Sequence, residues 1–513
     1  LRTERSPPML NLRLVVISVC SLMCVTLSHA QRGGTDWTSA GYDAQRSSWV
    51  RSDAKISMSS MEKPGGFKFL WKLKFNSDPK QVNALTPPVL LDFYIGYRGF
   101  RALGFVGGRS DSVFGVDTDL GRLEWQKRIS TAPPAQSTGN CPGGMTAGLT
   151  RPTATTIAGG SVGGRGRGGP AKSGVGEPGQ GAVTLAQAEA RRAALPPPPP
   201  GASPAPNPFR RAPSFVYAIS SDGMLHAMYV SNGEEPGPPI PFLPANANAH
   251  GLIVVGQTAY AATTQGCGGV PNGVWALDLT SKQVNSWQSS GGISGSAGPA
   301  FAPDGTLYVA TEGGELVALD PASLKVKNTY NSGAAFTSSP VLFQHKGALV
   351  AAAATIDGSL HLLDASSLTV LSKTPANSGA ADFAPGALTS WQDLDDTRWV
   401  LAPSAGAVMA WKVAGQNGAL VLQPGWTSRE MVAPLTPMVM NGVVFAISSG
   451  KRAQRSQPAV LYALDARTGK EVWNSGKTIT SFVDGGGLSG GSGQLYLGTY
   501  DGTLYAFGFP IEH

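Results

Sequence analysis

The acidic run WQDLDDTRW, residues 391–399, is one group of side chains that could bind a cation. Asp393, Asp395 and Asp396 supply carboxylate oxygens, which are the ligands that Ca²⁺ prefers. The run also separates two apolar segments at the place of a hairpin turn, and acidic residues are common in solvated turns. We therefore expect a turn here rather than a metal site.

The six histidines are scattered along the chain. His226 and His361 occupy matching places in similar segments, where their side chains would face neighbouring units of the fold, and His345 stands apart. A general base or a metal ligand needs partners that converge on it, and the spacing shows none. We expect these histidines to be structural.

The N-terminus has the pattern of an export signal. Three arginines precede the apolar run 14–27, which is followed by the small-residue sequence SHA at 28–30. The run is short for a membrane-spanning helix and fits a cleaved signal peptide. We expect residues 1–30 to be removed, leaving residues 31–513 as a secreted or periplasmic chain without a transmembrane helix.

Two cysteines, Cys141 and Cys267, would remain after cleavage. In an exported chain two cysteines favour one disulfide, with two free thiols as the alternative.

The net charge of +7 is concentrated in two segments. Residues 1–30 contribute +2 and residues 158–213 contribute +5, so the rest of the chain is about neutral. A nucleic-acid partner would need a basic face, which a neutral body does not provide. Residues 158–213 are rich in Gly, Pro and Arg, and this composition predicts a disordered insertion.

One pattern recurs through the chain: an apolar strand, a tight turn and a second apolar strand. It appears in VYAISSDGMLHAMY (216–229), LYVATEGGELVALD (307–320), AAAATIDGSLHLLD (351–364) and GQLYLGTYDGTLYAFG (493–508). Short strands with Asp-Gly or Gly-Gly turns predict hairpins, and repeats at this spacing predict a propeller or a solenoid.

The repeats predict an all-β fold, an eight-bladed β-propeller of four-stranded antiparallel blades. The expected blades are about 83–129, 144–235, 246–288, 292–331, 335–375, 383–428, 431–476 and 481–510, with residues 158–213 inserted in the second. The eighth blade lacks a fourth strand, and FKFLWKLKF (67–75) has the alternation of an outer strand. Pairing these termini would close the ring and remove unpaired edges, whereas an open solenoid would leave them.

The stretch LYALDARTGKEVW (461–473) resembles the repeat of pyrroloquinoline-quinone (PQQ)-like propellers. The matching positions follow the spacing A-x-D-x-x-T-G-x-x-x-W and are Ala463, Asp465, Thr468, Gly469 and Trp473. A second copy, VFGVDTDLGRLEW (113–125), keeps Asp117, Gly121 and Trp125. WTSAGYDAQRSSWV (37–50) resembles the start of mature family members. Other blades keep fragments, with Asn328 or Ser372 where tryptophan would stand.

The resemblance implies one of two kinds of protein. Quinoprotein dehydrogenases hold PQQ and Ca²⁺ over the axis, with a carboxylate base and a disulfide of adjacent cysteines against the quinone. Non-enzymatic members, such as the outer-membrane assembly lipoprotein, use the ring for binding, and a shared fold does not choose between them. This sequence has no Cys-Cys pair, no acidic-tryptophan cluster of the base-bearing type and no C-x-x-C-H haem motif.

The expected blade geometry places one group of residues on the axial face. Cys141 lies in the loop entering blade two and Cys267 in the long second-to-third-strand turn of blade three, so both should lie on the face where family ligands sit. Arg151 would point near the axis, either packed against loop carbonyls or contacting a ligand. These three residues are the candidates for a binding site.

Two functions follow. The first is an exported binding or scaffold module that receives a protein or small molecule on its axial face and has no identified catalytic residue or metal. The alternative is a divergent dehydrogenase that uses PQQ and Ca²⁺ to oxidise an alcohol or sugar. The first function is favoured because the sequence lacks the catalytic residues and motifs of the quinoprotein dehydrogenases.

Overall fold

The structure is a computed structural model. It describes residues 36–75, 85–96, 99–130, 141–157, 214–375, 384–404, 406–416, 419–450, 457–484 and 487–510. The expected signal peptide, residues 1–30, and the expected disordered insertion, residues 158–213, lie outside the described residues, and both remain predictions.

The described residues form eight sheets arranged in a ring, which confirms the predicted propeller. The first elements are β1 (Trp49–Val50), the helix α1 (Met58–Met61) and β2 (Lys68–Lys74). Blade one comprises β3 (Val89–Gly96), β4 (Gly99–Gly108), β5 (Ser112–Asp117) and β6 (Arg122–Arg128). Then come β7 (Pro152–Thr153) and blade two, with β8 (Phe215–Ile219), β9 (Met224–Tyr229) and β10 (Ile240–Pro241).

The next three blades follow in chain order. Blade three comprises β11 (Ala249–Val255), β12 (Thr258–Thr263), β13 (Gly273–Asp278) and β14 (Val284–Gln288), with a 3₁₀ turn at Cys267–Gly269. Blade four comprises β15 (Ala300–Phe301), β16 (Leu307–Ala310), β17 (Glu315–Leu319) and β18 (Val326–Asn331). Blade five comprises β19 (Val341–His345), β20 (Ala348–Ala354), β21 (Leu360–Asp364) and β22 (Val370–Lys373).

The last three blades complete the ring. Blade six comprises β23 (Thr389–Gln392), β24 (Arg398–Pro403), β25 (Val408–Gln416) and β26 (Ala419–Thr427). Blade seven comprises β27 (Met438–Met440), β28 (Val443–Ser448), β29 (Val460–Asp465) and β30 (Glu471–Asn474). Blade eight comprises β31 (Leu488–Gly491), β32 (Gln494–Gly498) and β33 (Thr503–Gly508).

The N-terminal strand β2 supplies the fourth strand of blade eight. It pairs antiparallel with β33, from Lys68 opposite Gly508 to Lys74 opposite Thr503. The ring is thus closed by the two ends of the described chain, as the sequence predicted, and this pairing covers the edge of β33.

Each blade packs on its neighbours through apolar side chains on both faces. The middle strands are buried almost throughout, because a propeller blade lies between two others. In blade five, β20 has the sequence ALVAAAA, and its last five residues are buried. Small alanines there let adjacent sheets approach closely, while the larger rings of Phe336 and Phe343 fill the space on either side.

Two short strands add to the inner edges of blades. β7 pairs in parallel with β11, the inner strand of blade three, and β1 pairs in parallel with β27, the inner strand of blade seven. In blade two the innermost position is taken by Thr150, which bridges Tyr217. Across the described ranges, none of the helices has the length and apolar character needed to cross a membrane.

Candidate functional site: the axial cavity and its floor

A cavity of about 300 Å³ lies on the axis, at the end of the channel where the inner strands begin. Seven of the eight blades contribute lining residues, all except blade five. Most of these are apolar or small, and they include Pro87, Leu149, Leu252, Leu435 and Leu488. The cavity is therefore the place where the ring as a whole, rather than one blade, can contact a ligand.

The floor of this cavity is formed by residues 36–50, which we call the axial segment. Trp37, Ser39, Ala40, Gly41 and Ser48 of this segment line the cavity. Trp37 packs edge-on against Tyr42 at 5.3 Å between ring centroids. The sequence had placed this stretch before the first outer strand, but had given no indication that it enters the channel.

Carbonyl oxygens of the axial segment accept hydrogen bonds from the backbone of successive blades. The donating N–H groups belong to Leu90, Arg151, Phe301, Leu342, Ser390 and Val439, in blades one, two, four, five, six and seven. All these bonds are 2.8 to 3.0 Å long. The segment thus follows the inside of the ring and satisfies the inner edges of its sheets.

Arg46 anchors the segment from within the core. Its side chain is 1% exposed, and its guanidinium donates to the carbonyl oxygens of Pro299, Ala40 and Gly251 at 2.7 to 3.0 Å. It also donates to Ser39 Oγ at 3.2 Å. Burial lowers the pKa of Arg46 to about 10, which still leaves it charged at neutral pH.

Asp43 is the acidic residue of the segment nearest to this charge. Its carboxylate accepts from the Ser47 backbone N–H at 2.8 Å and from the Ser47 hydroxyl at 2.6 Å. Burial raises the pKa of Asp43, although the bonds from Ser47 oppose that change. Together these contacts hold the turn 43–47, in which Arg46 has a left-handed φ of 61°.

No charged side chain lines the cavity within the part of the chain that the structure describes. Several of its hydroxyl groups already have protein partners: Ser39 accepts from Arg46, Thr146 exchanges bonds with the Ala249 backbone, and Thr436 donates to Pro385 and Ala387 carbonyls. The walls therefore present mainly carbon surface.

His250 is the polar side chain of the lining that is left with an unpaired atom. Its Nε2 is buried and has no hydrogen-bond partner among the described residues. Burial, and then the nearby charge of Arg46, lower the pKa of His250 to about 4. The imidazole is therefore neutral at physiological pH.

The two sequence-predicted cysteines form a disulfide in the structure. Cys141 and Cys267 are joined with a Cα–Cα distance of 5.5 Å. Cys267 lies in the turn between β12 and β13, at the end of blade three where β11 begins, because Ala249 pairs with Thr263 across those strands. The disulfide is therefore at the same end of blade three as the cavity residue His250.

Arg151 is buried near the axial segment rather than in the cavity lining. Its guanidinium donates to Asp36 at 2.5 Å, to the Leu90 carbonyl at 3.2 Å and to Ser214 Oγ at 3.2 Å. These are the protein contacts of a packed guanidinium. A ligand contact at Arg151 stays a prediction.

Two of the histidines that the sequence analysis expects to be structural, His226 and His361, have local partners, whereas the buried Nε2 of His345 has none among the described residues. His226 lies between Ser220 Oγ, 3.0 Å from Nε2, and Glu235, 3.2 Å from Nδ1. His361 is placed in the same way between Thr355, at 3.1 Å, and Tyr330, at 3.0 Å. The partners of His226 resemble a Ser-His-Glu nucleophile arrangement. Blade five repeats the arrangement with threonine and tyrosine around His361, which indicates a structural role for both histidines.

The acidic run of blade six forms a turn. Asp393 accepts hydrogen bonds from the backbone N–H groups of Asp395 and Thr397, both at 2.9 Å, and from Trp399 Nε1 at 3.0 Å. Asp395 forms an ion pair with Arg467 at 3.0 Å. In the described ranges, no three His, Cys, Asp or Glu side chains are grouped closely enough to hold a metal ion.

The repeated aspartate of the family motif closes the turn between the third and fourth strands. Asp465 Oδ1 accepts from the N–H groups of Arg467 and Thr468 at 2.8 and 2.9 Å. Asp117 makes the same two bonds, to Asp119 and Leu120, at 3.1 Å. These are Asx turns, and they place the residue four positions after the aspartate, Gly469 or Gly121, at positive φ.

Tryptophans of the outer strands join one blade to the next. Trp125 Nε1 in blade one donates to the Val230 carbonyl of blade two at 3.1 Å, and Trp426 of blade six donates to Ala466 of blade seven at 2.9 Å. A Cβ on Gly469 would lie 2.4 Å from Trp426, so this glycine makes room for the indole. Trp71 of β2 packs on Gly121 in the same way and donates to the Thr118 carbonyl at 3.1 Å.

Other residues of the motif share this packing between blades. Ala463 lies opposite Trp473 in the register of blade seven. Trp473 contacts the rings of Phe67 and Phe507, whose centroids lie 4.8 and 5.8 Å away. Asn328, which stands where tryptophan is expected, donates to the Ser367 carbonyl of the next blade at 2.6 Å. At Asn328 the hydrogen bond to the next blade is therefore retained although the indole is lost.

The cavity lining does not fit PQQ with Ca²⁺. PQQ is a tricarboxylate, which needs cationic partners, and Ca²⁺ needs several oxygen ligands with negative charge. The described lining offers neither an Arg or Lys nor an Asp or Glu. Placing these charges against carbon surface would be unfavourable, since buried charges require pairing.

Comparison with known proteins agrees with this architecture. Residues 285–508 match the family model described as outer membrane protein assembly factor BamB. The match covers less than half of the chain, and over those residues the chain is similar to the PQQ-like β-propeller repeats that the sequence motifs resemble. No curated protein sequence matches the chain.

Several solved structures have a similar fold. The quinohemoprotein alcohol dehydrogenase from Comamonas testosteroni has a TM-score of 0.57 and 14% identity, covering 94% of this chain and 82% of that one. A europium-containing methanol dehydrogenase has a TM-score of 0.56 and 11% identity, covering 94% and 99%. The computationally designed Ika8 protein has a TM-score of 0.51 and 12% identity, covering 85% and 98%. At these identities the likeness concerns the fold alone.

Proposed function

We propose that the protein is an exported binding module, whose ring receives a ligand at the axial cavity and carries out no redox chemistry there. The observation that supports this is the lining: seven blades and the axial segment converge on a cavity without a charged side chain among the described residues. A dehydrogenase would need a carboxylate base at the reacting alcohol and oxygen ligands for Ca²⁺.

The position of the cavity supports a role in binding. It lies at the end of the ring that also carries the disulfide of blades two and three. Thr146, which lines the cavity, is joined to Ala249 by two hydrogen bonds of 2.8 Å, so the walls of blades two and three are tied together beside His250. A wall tied in this way keeps its shape without a ligand, which lowers the entropic cost of binding.

A turnover assay tests the proposal against the dehydrogenase alternative. The purified full-length protein is incubated with PQQ and Ca²⁺ and then supplied with alcohols and sugars and an artificial electron acceptor. We expect no acceptor reduction above the protein-free control. Turnover that depends on protein, PQQ and Ca²⁺ together would overturn the proposal.

The binding role itself is tested by native mass spectrometry of protein isolated from its own source. We expect a non-covalently bound species that is released on denaturation. A protein that is isolated without any bound species, and that retains none when incubated with the cell extract or medium from which it came, would contradict a binding role for the cavity.

A further inference from the structure

Two arginines, Arg51 and Arg398, lie at the end of the ring opposite the axial cavity. The inner strands of blades six and seven begin beside the cavity. Arg398 lies opposite Gln392, the last residue of β23 in blade six. Val50, which precedes Arg51, lies opposite Met440, the last residue of β27 in blade seven. The two arginines are therefore separate from the cavity, and neither of them lines it.

Both guanidinium groups lie over the indole of Trp49, which is buried between blades six and seven. The Cζ atoms of Arg51 and Arg398 are 4.6 and 5.3 Å from the centroid of its ring. Arg398 Cζ is also 5.4 Å from the ring centroid of Phe343. Aromatic faces attract cations, but they do not neutralise them, so two positive charges remain close together.

The guanidinium of Arg51 has donors to spare. It makes no hydrogen bond to any described residue, and its side chain is 24% exposed. Its Nε is enclosed, whereas its two terminal nitrogens keep accessible surface. Asp43 lies 4.0 Å from Nη1, but its carboxylate already accepts two bonds from Ser47 and also faces the charge of Arg46. One carboxylate is thus shared between two arginines.

Arg398 is a buried charge without a carboxylate partner among the described residues. Its side chain is 5% exposed, and Nη2 donates to the Gln344 carbonyl at 3.0 Å and to Gln392 Oε1 at 2.8 Å. Its Nη1 makes no hydrogen bond to the described chain. Burial, and then the charge of Arg51, lower the pKa of Arg398 to about 9, which leaves it charged at neutral pH. Buried charges are normally paired, and this one faces a second cation instead.

The surroundings of Arg398 add little negative charge. Burial, and then the charges of Lys346 and Arg398, lower the pKa of His345, which stands at the end of β19. An acidic residue reaches Arg398 only indirectly: Asp396 accepts from Gln392 Nε2 at 3.2 Å, and the Oε1 of that amide accepts from Arg398. The excess of positive charge therefore remains.

We propose that Arg51 and Arg398 form a binding site for a doubly charged oxyanion, such as sulfate, inorganic phosphate or the phosphate group of a monoester. A planar guanidinium presents its N–H donors in a fork that matches the oxygens of such an anion. Two negative charges would compensate both guanidinium groups, and the unpaired donors would gain acceptors. This second site is independent of what the axial cavity binds.

Isothermal titration calorimetry with the full chain tests the site. The probes are inorganic phosphate, sulfate, glycerol 3-phosphate and acetate at pH 8, at a constant low ionic strength set with sodium chloride, because salt screens exposed charges. We expect saturable binding of the three dianions, and binding of the singly charged acetate that is about tenfold weaker. Tighter binding of glycerol 3-phosphate would support a monoester as the ligand, and tighter binding of phosphate a free ion. No saturable binding of any dianion, or equal affinity for acetate, would overturn the proposal.

Arg51→Gln locates the site, since it removes a charge without removing a hydrogen bond to the described chain. We expect it to weaken phosphate binding about tenfold. Arg429→Gln is the matched control, because Arg429 also lies over an aromatic ring, 4.8 Å from that of Tyr462, but is paired with Glu471 at 2.5 Å. It should bind phosphate as the wild type does. Unchanged affinity in Arg51→Gln, or an equal loss in Arg429→Gln, would contradict the assignment.

Thermal unfolding gives an independent readout. An anion that binds only the folded protein stabilises it by mass action, whereas the general effect of phosphate on folded proteins is shared by all variants. Phosphate should therefore raise the Tm of the wild type and of Arg429→Gln more than that of Arg51→Gln, relative to chloride at equal ionic strength. Equal increases in the three proteins would overturn the proposal. Neither result bears on the axial cavity, since Arg51 does not line it.

Discussion

Arg46 Nη2 donates to the carbonyl oxygen of Gly251 at 3.0 Å, and so connects the N-terminal axial segment to the inner strand of blade three, 205 residues away. Gly251 has a positive φ of 65° and approaches Gly298 of blade four so closely that a Cβ would lie 2.4 Å from its Cα. Arg46 also bonds the Pro299 carbonyl. The guanidinium therefore fixes the seam between blades three and four from inside the channel.

Replacement of Arg46 should destabilise the whole ring. Arg46→Met removes the donors of buried carbonyl groups, each of which costs about 1–3 kcal/mol when left unpaired. We expect a loss of about 3 kcal/mol in the free energy of unfolding, measured by chemical denaturation. Hydrogen exchange should also rise at Phe301 and Leu342, whose N–H groups donate to the segment.

Arg429→Met is the control, because it makes the same substitution at an arginine on the surface. Arg429 pairs with Glu471 at 2.5 Å on the surface, and surface pairs contribute little because water and salt screen them. Its unfolding curve should overlay that of the wild type. If Arg46→Met were as stable as Arg429→Met, the axial segment would not be anchored as described.

Gly469 should be intolerant of a side chain because of the indole packed on it. Gly469→Ala adds a Cβ 2.4 Å from Trp426 Cε3 as well as a strained positive φ, and we expect a loss of about 2–4 kcal/mol in thermal or chemical unfolding. Gly256→Ala separates the two causes, since Gly256 has a φ of 59° but an open Cβ position. It should lose only about 1 kcal/mol. Equal losses would mean that backbone strain alone accounts for Gly469 and that the contact with Trp426 does not require a glycine.

The disulfide should contribute measurably to stability, since it closes a loop of 126 residues between blades two and three. The Cys141→Ser, Cys267→Ser double variant is expected to lose roughly 2–4 kcal/mol in the free energy of unfolding. Intact-mass measurement with and without reductant should differ by two protons for the wild type. Alkylation of both cysteines in the native, unreduced protein would contradict the bridge.

Stability should fall as the pH drops below neutrality, in part because of His361. Burial lowers the pKa of His361 to about 4, whereas an unfolded histidine titrates near 6.5. Between these values the unfolded state binds more protons, so the stability from this group is complete above pH ~6.5 and is lost on acidification toward pH ~4. The loss should be on the order of 3 kcal/mol.

His361→Gln provides the test, because carboxyl groups titrate alike in both proteins and cancel in the difference. Denaturation midpoints of both proteins are measured at several pH values from 8 to 4.5. We expect the variant to be less stable at high pH and to lose less stability on acidification. Parallel pH profiles would show that His361 does not titrate in this way.

The sequence predicted the architecture because short-range patterns specify the strands and turns of each blade. Strand alternation, Asp-Gly turns and the spacing of the repeated aspartate each act over a few residues, and the unpaired strand FKFLWKLKF identified the closing strand. The pairing of Cys141 with Cys267 followed from their places in the blades.

The axial segment could not be predicted in the same way. Its partners are backbone groups of six blades, and a backbone amide carries no sequence signal. Arg46 within a stretch of small and polar residues was the one available hint, since a buried guanidinium needs many acceptors. The bond from Asn328 to the next blade could not be predicted either, because the motif specifies an indole and not the N–H group that donates the bond.

The most direct test of the account is equilibrium binding of PQQ in the presence of excess Ca²⁺, measured by calorimetry on the full chain. The neutral lining of the axial cavity predicts no saturable binding at micromolar PQQ, in wild type or in Gly148→Leu. This variant adds a side chain to the lining at a position where a Cβ would meet only Pro87 Cδ, at 4.0 Å. Saturable, Ca²⁺-dependent binding to the wild type that Gly148→Leu abolishes would place the quinone in the axial cavity and contradict the account.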